Sequence, residues 1–339
     1  MVYYNKISTF EPNIAAVKMK KILITYKVYP KLVDSLRNEG FHVDYHPGIS
    51  VEEATTIIGS YNGLIVGGAS FIVGQEFLNH ANTLEFIGRP GSGLDTIDLQ
   101  ACKNKNIKVI NSPEGNRNAV AEHALGMLFC LLNNLRWADE EVRNKLWERE
   151  KNRGFELMGK TVGIIGFGNT GSQFAKKLSA LGVQILAYDK YKQGYADEID
   201  YVKECSLEEI WLKADIISFH LQHNKETHYY LNTDFIQRCK KDIIVINTSR
   251  GPIVETKALL KGLESGQVSG ACLDVLENEN PKTFNLKELE IHDKLFDLKQ
   301  TVYSPHVAGW SDKSKIGMSM VLFDKIVELL NDTSQNTDL

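Results

Sequence analysis

Thr161-Val162-Gly163-Ile164-Ile165-Gly166-Phe167-Gly168-Asn169-Thr170-Gly171 is the segment that sets the fold of this chain. Its first five residues have the apolar composition of a buried strand. Gly166, Gly168 and Gly171 then space a glycine-rich turn, and residues 172–181 continue as a helix. In that setting the first glycine permits a tight turn, the second lets the backbone approach a pyrophosphate, and the third lets helix and strand pack closely. Phosphates then meet free N–H groups at the helix N-terminus. The next strand ends in Asp189, 18 residues after Gly171. A carboxylate there accepts hydrogen bonds from ribose hydroxyls and repels a 2′-phosphate, which favours NAD over NADP. Lys190 and Lys192 beside it act in the opposite sense.

On either side of this motif, short aliphatic runs alternate with helical patterns, as in parallel sheets covered by helices. Upstream, strands are expected at 21–25, 42–45, 63–66, 84–88 and 108–110, with helices such as 30–39 and 51–59 between them. A second series follows at 161–165, 184–188, 215–219, 243–247, 268–273 and 301–303. The expected fold is α/β, with two doubly wound, parallel-sheet, Rossmann-like domains. Between the series, 119–135 is apolar almost all round and then turns charged through Glu150. A helix around 118–147 is therefore expected in a core or a homodimer contact. Ile316, Met320, Phe323, Val327 and Leu330 recur at helical spacing, and that helix is expected to pack back on the first domain. The substrate domain is then discontinuous, 1–113 with 311–339, around a nucleotide-binding domain at 114–310. The polar tail from Asn331 is expected to fray. Met19 reads like a start running straight into a strand, which leaves 1–18 as an extension with little part in the fold.

A length of 339 residues suits two domains sharing a cleft, and 43% hydrophobic residues supply a sizeable core. The net charge of −4, from 39 basic and 43 acidic residues, argues against nucleic-acid and anionic-membrane partners. The longest apolar stretch, 124–132, is far shorter than the ~20 residues of a membrane crossing, and the N-terminus lacks a secretion signal's apolar core. Five cysteines, an odd number without a C-x-x-C pair, read as reduced thiols in a cytoplasmic protein. No Cys/His/Asp spacing suggests a metal site.

Three further segments each follow an expected strand. Asn247-Thr248-Ser249-Arg250-Gly251 places Arg250 at a strand's carboxyl end, where open α/β sheets bind ligands, and its planar fork suits a carboxylate. Ser304-Pro305-His306-Val307-Ala308-Gly309 carries a histidine, the usual proton shuttle near neutral pH. Asp274, Glu277 and Glu279 follow a third strand, and one of them facing the imidazole would fix its tautomer and raise its pKa. A cation, a base and an orienting acid are what hydride removal from C2 of a hydroxy acid requires. His123, inside the apolar helix, and His220, at the end of the strand 215–219, are read as structural, with His220 beside the cofactor crevice.

With Arg89-Pro90-Gly91-Ser92-Gly93-Leu94-Asp95 and Asn111-Ser112-Pro113-Glu114-Gly115-Asn116 added, the chain from about Lys20 to Leu330 resembles the D-isomer-specific 2-hydroxyacid dehydrogenases. It is most similar to the phosphoglycerate-type members that lack a regulatory domain. The resemblance implies that Arg250 binds the substrate carboxylate and carbonyl, that His306 is the general acid/base, and that Glu279 holds His306. It implies NAD contacts from Ser92, Asn169, Thr170, Asp189, Thr248 and Asp274. Backbone around Gly67, Gly68, Gly91, Ser92 and Gly93 would hold a small 2-hydroxy or 2-oxo acid, and a homodimer would form through the long helix. Three features depart from the family pattern. One residue separates Glu279 from Pro281, which keeps Glu277 as a rival. Residues 281–301 are long and charged, a lid or a surface insertion. Gly67-Gly68-Ala69-Ser70 stands where phosphoglycerate-type relatives carry arginine, with Arg89 and Arg117 as possible substitutes.

Within that family, oxidation of 3-phosphoglycerate narrowly leads reduction of glyoxylate or hydroxypyruvate. Formate oxidation on the same fold calls for an amide beside the histidine, and Glu279 disfavours it. A non-catalytic, NAD-sensing binding protein is the alternative from another class.

Overall fold

The computed structural model describes residues 20–335, with side chains as far as Asn331. The expectation for residues 1–18 lies outside the described residues, as does the end of the tail; the last helix runs unbroken through Asn331 to Gln335. The chain divides into two compact units. One takes the described residues up to Asn116 together with those from Lys315 on, and the other is Arg117–Ser314.

The first unit is a five-stranded sheet: β1 (Lys21–Ile24), β2 (His42–Tyr45), β3 (Gly63–Ile65), β4 (Phe86–Arg89) and β5 (Lys108–Asn111). The order is β2-β1-β3-β4-β5 and every pairing is parallel. Strand alternation sends Leu23, Leu64 and Ile87 to one core with Phe77 and Leu78. Ile22, Ile24, Ile65 and Phe86 go to the other, with Leu32 and Leu36 of the helix Pro30–Asn38. That second core is closed by the helix Asp312–Gln335, whose buried stripe is Leu322, Ile326 and Leu330. The helical face read from the sequence is therefore rotated: Leu330 is buried, Phe323 is partly so, and Ile316 is exposed. Leu322 packs over Gly88 on β4, where an added Cβ would stand 3.3 Å from its Cδ atoms.

The second unit holds β6 (Thr161–Ile165), β7 (Gln184–Tyr188), β8 (Lys203–Glu204), β9 (Ile216–Phe219), β10 (Ile243–Asn247), β11 (Val268–Leu273) and β12 (Thr301–Tyr303). Their order is β12-β11-β10-β9-β6-β7-β8, again all parallel. Strand order reverses beside β6, between β7 and β9, which is where ligands bind in open α/β sheets. The two-residue β8 was not expected, being too short to show any periodicity. Val162, Ile164, Ile246 and Cys272 bury against the helices Arg117–Leu132 and Asn169–Leu178. Ile217, Phe219, Val245 and Leu273 bury on the opposite face against the helix Thr256–Ser265.

The single helix expected around 118–147 is two. Arg117–Leu132 stops at Asn133-Asn134, and Leu135–Arg143 starts afresh. Asn134 sits in the left-handed region at φ 52°, which asparagine tolerates better than most residues. Phe155 returns its N–H to the Leu132 carbonyl at 2.9 Å, satisfying one of the groups that the break leaves open. Much of the apolar surface of Arg117–Leu132 is spent inside its own unit, since Ala121, Ala124, Met127, Leu128 and Leu132 all enter the core beside β6.

The charged stretch 281–301 is a short turn at Pro281–Thr283 and the helix Leu286–Asp297. Asn285 and Glu288 form a reciprocal cap at its start. Leu295 is fully buried against the core that contains Leu259 and Leu263, so the segment is a packed layer of the sheet's cover and not a lid.

Candidate active site

All of the acid–base candidates belong to the second unit and sit just beyond the carboxyl ends of its strands. Arg250 follows β10, Asp274 and Glu279 follow β11, and His306 follows β12. His306 Nδ1 lies 2.8 Å from Glu279 Oε2. An ionised carboxylate only accepts, so Nδ1 carries the proton and Nε2 is left for a ligand. The Glu279 hydrogen bond is the largest influence on the imidazole and raises its pKa above the ordinary histidine value. Desolvation and the Arg250 charge oppose it. Arg250 is therefore near enough to act electrostatically on His306. Its Nη1 donates to the Ser249 carbonyl at 2.7 Å, and Asn247 Nδ2 donates to the Arg250 carbonyl at 2.9 Å, which fixes the turn that carries it.

The other two acids do different things. Glu277 accepts from the Tyr229 hydroxyl at 2.5 Å and from the Thr256 N–H at 2.6 Å, so it caps structure away from the imidazole. Asp274 is almost wholly buried and holds the loop of His306. Its carboxylate accepts from Val307 N and Ala308 N, each at 2.9 Å, and its carbonyl accepts from His306 N at 2.7 Å. His306 itself has φ 55°, in the left-handed region that few side-chain-bearing residues adopt.

The glycine turn lies at the end of β6. A Cβ on Gly171 would stand 2.1 Å from the Gly166 carbonyl oxygen, and Gly166 has φ 92°, so neither position accepts another residue. A Cβ on Gly168 would meet nothing within 4 Å. The helix Asn169–Leu178 begins here with no side-chain cap and no acid in its first turn, so no side chain competes for the N–H groups at its start. Asp189, at the end of β7, accepts from Phe167 N at 2.9 Å and Tyr191 N at 3.0 Å. Lys190 is turned onto Glu226 at 2.7 Å, and Lys192 donates to the Phe167 carbonyl at 3.0 Å. Both cations thus have protein partners. Beyond β9 and β10, the buried His220 Nδ1 and Thr248 Oγ1 have no hydrogen-bond partner. Burial pushes His220 down to about 4, so it is neutral near pH 7. An anion cradle, a carboxylate one strand away and unpaired polar atoms on the next two strands fit a dinucleotide.

In the first unit the loops after β3, β4 and β5 collect the remaining candidates. Arg89 Nη1 donates to the Gly68 carbonyl at 3.0 Å. Gly91 N donates to Ser112 Oγ at 3.0 Å, and Asn111 Nδ2 donates to the Ser92 carbonyl at 2.9 Å. These bonds hold Gly68, Gly91 and Ser92, with Gly67 and Gly93 next to them in the chain, beyond the carboxyl ends of β3 and β4.

One contact beside these residues was not read from the sequence. His123, taken as structural, has Nε2 2.7 Å from Ser304 Oγ and 3.6 Å from Asp274 Oδ1. Its signal was a lone imidazole inside an otherwise apolar run, which does not by itself say what it faces. Among the described residues, no cluster of His, Cys, Asp and Glu has the makings of a metal site, and no helix is long and apolar enough to cross a membrane.

Residues 125–308 match the model of the D-isomer specific 2-hydroxyacid dehydrogenase, NAD binding domain, and the chain belongs to that family. A D-3-phosphoglycerate dehydrogenase of Archaeoglobus fulgidus is 32% identical over 309 residues, 91% of this chain and 57% of that protein. The chain thus spans little more than half the length of that relative. A hydroxypyruvate reductase of Thermotoga maritima is 33% identical over 82% of this chain and 88% of its own. Among solved structures, a D-lactate dehydrogenase from Aquifex aeolicus complexed with NAD and lactic acid is similar with a TM-score of 0.78 at 25% identity. The match covers 93% of this chain and 97% of that one. The two-sheet, parallel α/β architecture expected from the sequence is the one found.

Proposed function

We propose that the protein is an NAD-dependent dehydrogenase that moves a hydride at C2 of a small 2-hydroxy or 2-oxo acid. The observation that carries this is the 2.8 Å pairing of His306 with Glu279, within reach of the Arg250 charge. In the oxidative direction His306 Nε2 takes the proton of the C2 hydroxyl. Glu279 keeps the other ring proton on Nδ1, so the base always presents the same nitrogen. Arg250 pairs with the substrate carboxylate and stabilises charge on the C2 oxygen. NAD, when bound, supplies the hydride acceptor. In the reductive direction His306 returns the proton.

Gly166, Gly168, Asn169, Thr170, Gly171, Asp189 and Thr248 would hold the cofactor, and Ser92 is a further candidate contact. Asp274 acts by shaping the His306 loop. The backbone of Gly67, Gly68, Gly91, Ser92 and Gly93 holds the substrate. The loop 67–70 has no cation of its own, and Arg89 gives a donor to the Gly68 carbonyl, so a small unphosphorylated 2-oxo acid such as hydroxypyruvate or glyoxylate is the first reading. Oxidation of 3-phosphoglycerate is the second, favoured by the Archaeoglobus relative.

The protein works as a homodimer in a reducing, cytoplasmic compartment. Exposed Leu135, Val142, Trp147, Phe155 and Met158 support the dimer, because such a run of bare apolar residues marks a contact surface. Five unpaired cysteines support the compartment.

Purified protein with NADH and a panel of 2-oxo acids tests the activity. Turnover of hydroxypyruvate or glyoxylate supports the first reading, and NAD-dependent oxidation of 3-phosphoglycerate the second. No change in NADH absorbance with any acid, together with tight NADH binding, supports a non-catalytic sensing protein instead.

A further inference from the structure

The backbone around His306 is held through Asp274, and Asp274 is held in turn from an unexpected direction. Ser304 Oγ lies 2.6 Å from Asp274 Oδ1, and His123 Nε2 lies 2.7 Å from the same Ser304 oxygen. A serine has one hydroxyl proton and a carboxylate only accepts, so that proton points at Asp274. Met127 Sδ, 3.6 Å from Ser304 Oγ, is the weaker acceptor. His123 Nε2 must then be the donor. The result is a one-way chain, His123 N–H to Ser304 O–H to Asp274 carboxylate, whose last member fastens Val307 N and Ala308 N. Its first member rides on the helix Arg117–Leu132, far from β12 in sequence.

We propose that His123 is a positioning residue for His306, acting through Ser304 and Asp274, so that proton transfer at C2 depends on a donor supplied by the helix Arg117–Leu132. The proposal rests on the dehydrogenase reading above. Without the donor, Ser304 is free to rotate and Asp274 loses its fixed partner. The left-handed turn at His306 then relaxes, and the alignment with Glu279 loosens. The charged groups acting on the His306 imidazole are Glu279, Arg250 and Asp274, so a looser Glu279 contact leaves desolvation and Arg250 to lower its proton affinity against the smaller, opposite effect of Asp274.

The test follows the His306 ring proton by NMR titration of the full chain, its resonance assigned with His306→Asn, alongside steady-state reduction of hydroxypyruvate. In His123→Leu the His306 midpoint is expected to move to lower pH. The kcat is expected to fall about tenfold, since small misplacements of an acid–base group are costly, with NADH affinity held within about twofold. His123→Gln, whose amide keeps an N–H donor, is expected to restore both. Ser304→Ala should reproduce the leucine variant, and the double variant should add nothing further. A wild-type midpoint in His123→Leu or Ser304→Ala overturns the proposal, even if stability falls, and so does a glutamine variant as impaired as the leucine one. Should His123→Leu fail to fold, Ser304→Ala decides. Should the wild type reduce no 2-oxo acid, the dehydrogenase reading fails while the titration still decides the positioning role.

Discussion

His306 combines two features that explain each other. Its backbone is forced into the left-handed region, and its imidazole is clamped to a carboxylate at 2.8 Å. The Glu279 hydrogen bond raises the proton affinity of the ring, so the protonated acid that the proposed reduction calls for persists to higher pH than an ordinary histidine allows. Reductive kcat/KM is therefore expected to fall as pH rises through that raised value. In Glu279→Gln the same alkaline limb should move to lower pH, because the amide cannot favour the charged ring as a carboxylate does; a pH–rate profile of both proteins checks it. Asp189→Ala is expected to weaken NADH relative to NADPH, measured as the ratio of the two dissociation constants. An unchanged ratio would remove Asp189 from the ribose site. At this scale the sequence placed Gly166 to Gly171, Arg250 and His306 in short motifs that each follow a strand, and the structure puts each of them at a strand's carboxyl end. The sequence left Glu277 and Glu279 undecided, since two acids two residues apart differ only in which way the loop turns them. It read His123 only as structural, because the partners of that imidazole, Ser304 and Asp274, lie far along the chain.

The elements show the same division. Strands β6, β7, β10, β11 and β12 were legible to the residue because buried parallel strands are short, uninterrupted aliphatic runs. The helix Arg117–Leu132 was legible as apolar, but its end was not, because Asn133-Asn134 ends it by backbone conformation and not by a change in hydrophobic period. Asn134→Val is expected to cost about 1–2 kcal/mol for a β-branched residue at positive φ, whereas Asn134→Gly should be close to neutral; urea denaturation of the two variants separates them. The glycine turn is stricter. Gly171→Ala puts a methyl 2.1 Å from the Gly166 carbonyl, and NADH affinity is expected to fall by about tenfold or more, equivalent to at least about 1.4 kcal/mol. Titration by NADH fluorescence reads this directly.

In the whole molecule, both ends of the described chain build one unit and the middle builds the other. The terminal helix is therefore part of a core, and its buried stripe decides what each substitution costs. Leu322→Ala, fully buried beside Ile22 and Phe86, is expected to destabilise by about 2–5 kcal/mol. Ile316→Ala, on the exposed side, should stay within about 0.5 kcal/mol. Thermal denaturation of the pair tests the register. The sequence showed that such a helix exists, but its buried stripe is Leu322, Ile326 and Leu330, a face set by what it packs against and not by helical period alone. The acid–base groups of the second unit matter only if they act on C2 of a 2-oxo acid. Reduction of hydroxypyruvate with NADH deuterated at the nicotinamide C4 measures this most directly. The expected product is D-glycerate carrying the deuterium at C2, formed by the wild type and lost in His306→Ala while NADH still binds. An L product, deuterium absent from C2, or an undiminished rate in His306→Ala would contradict the assignment of His306, Glu279 and Arg250 to hydride chemistry.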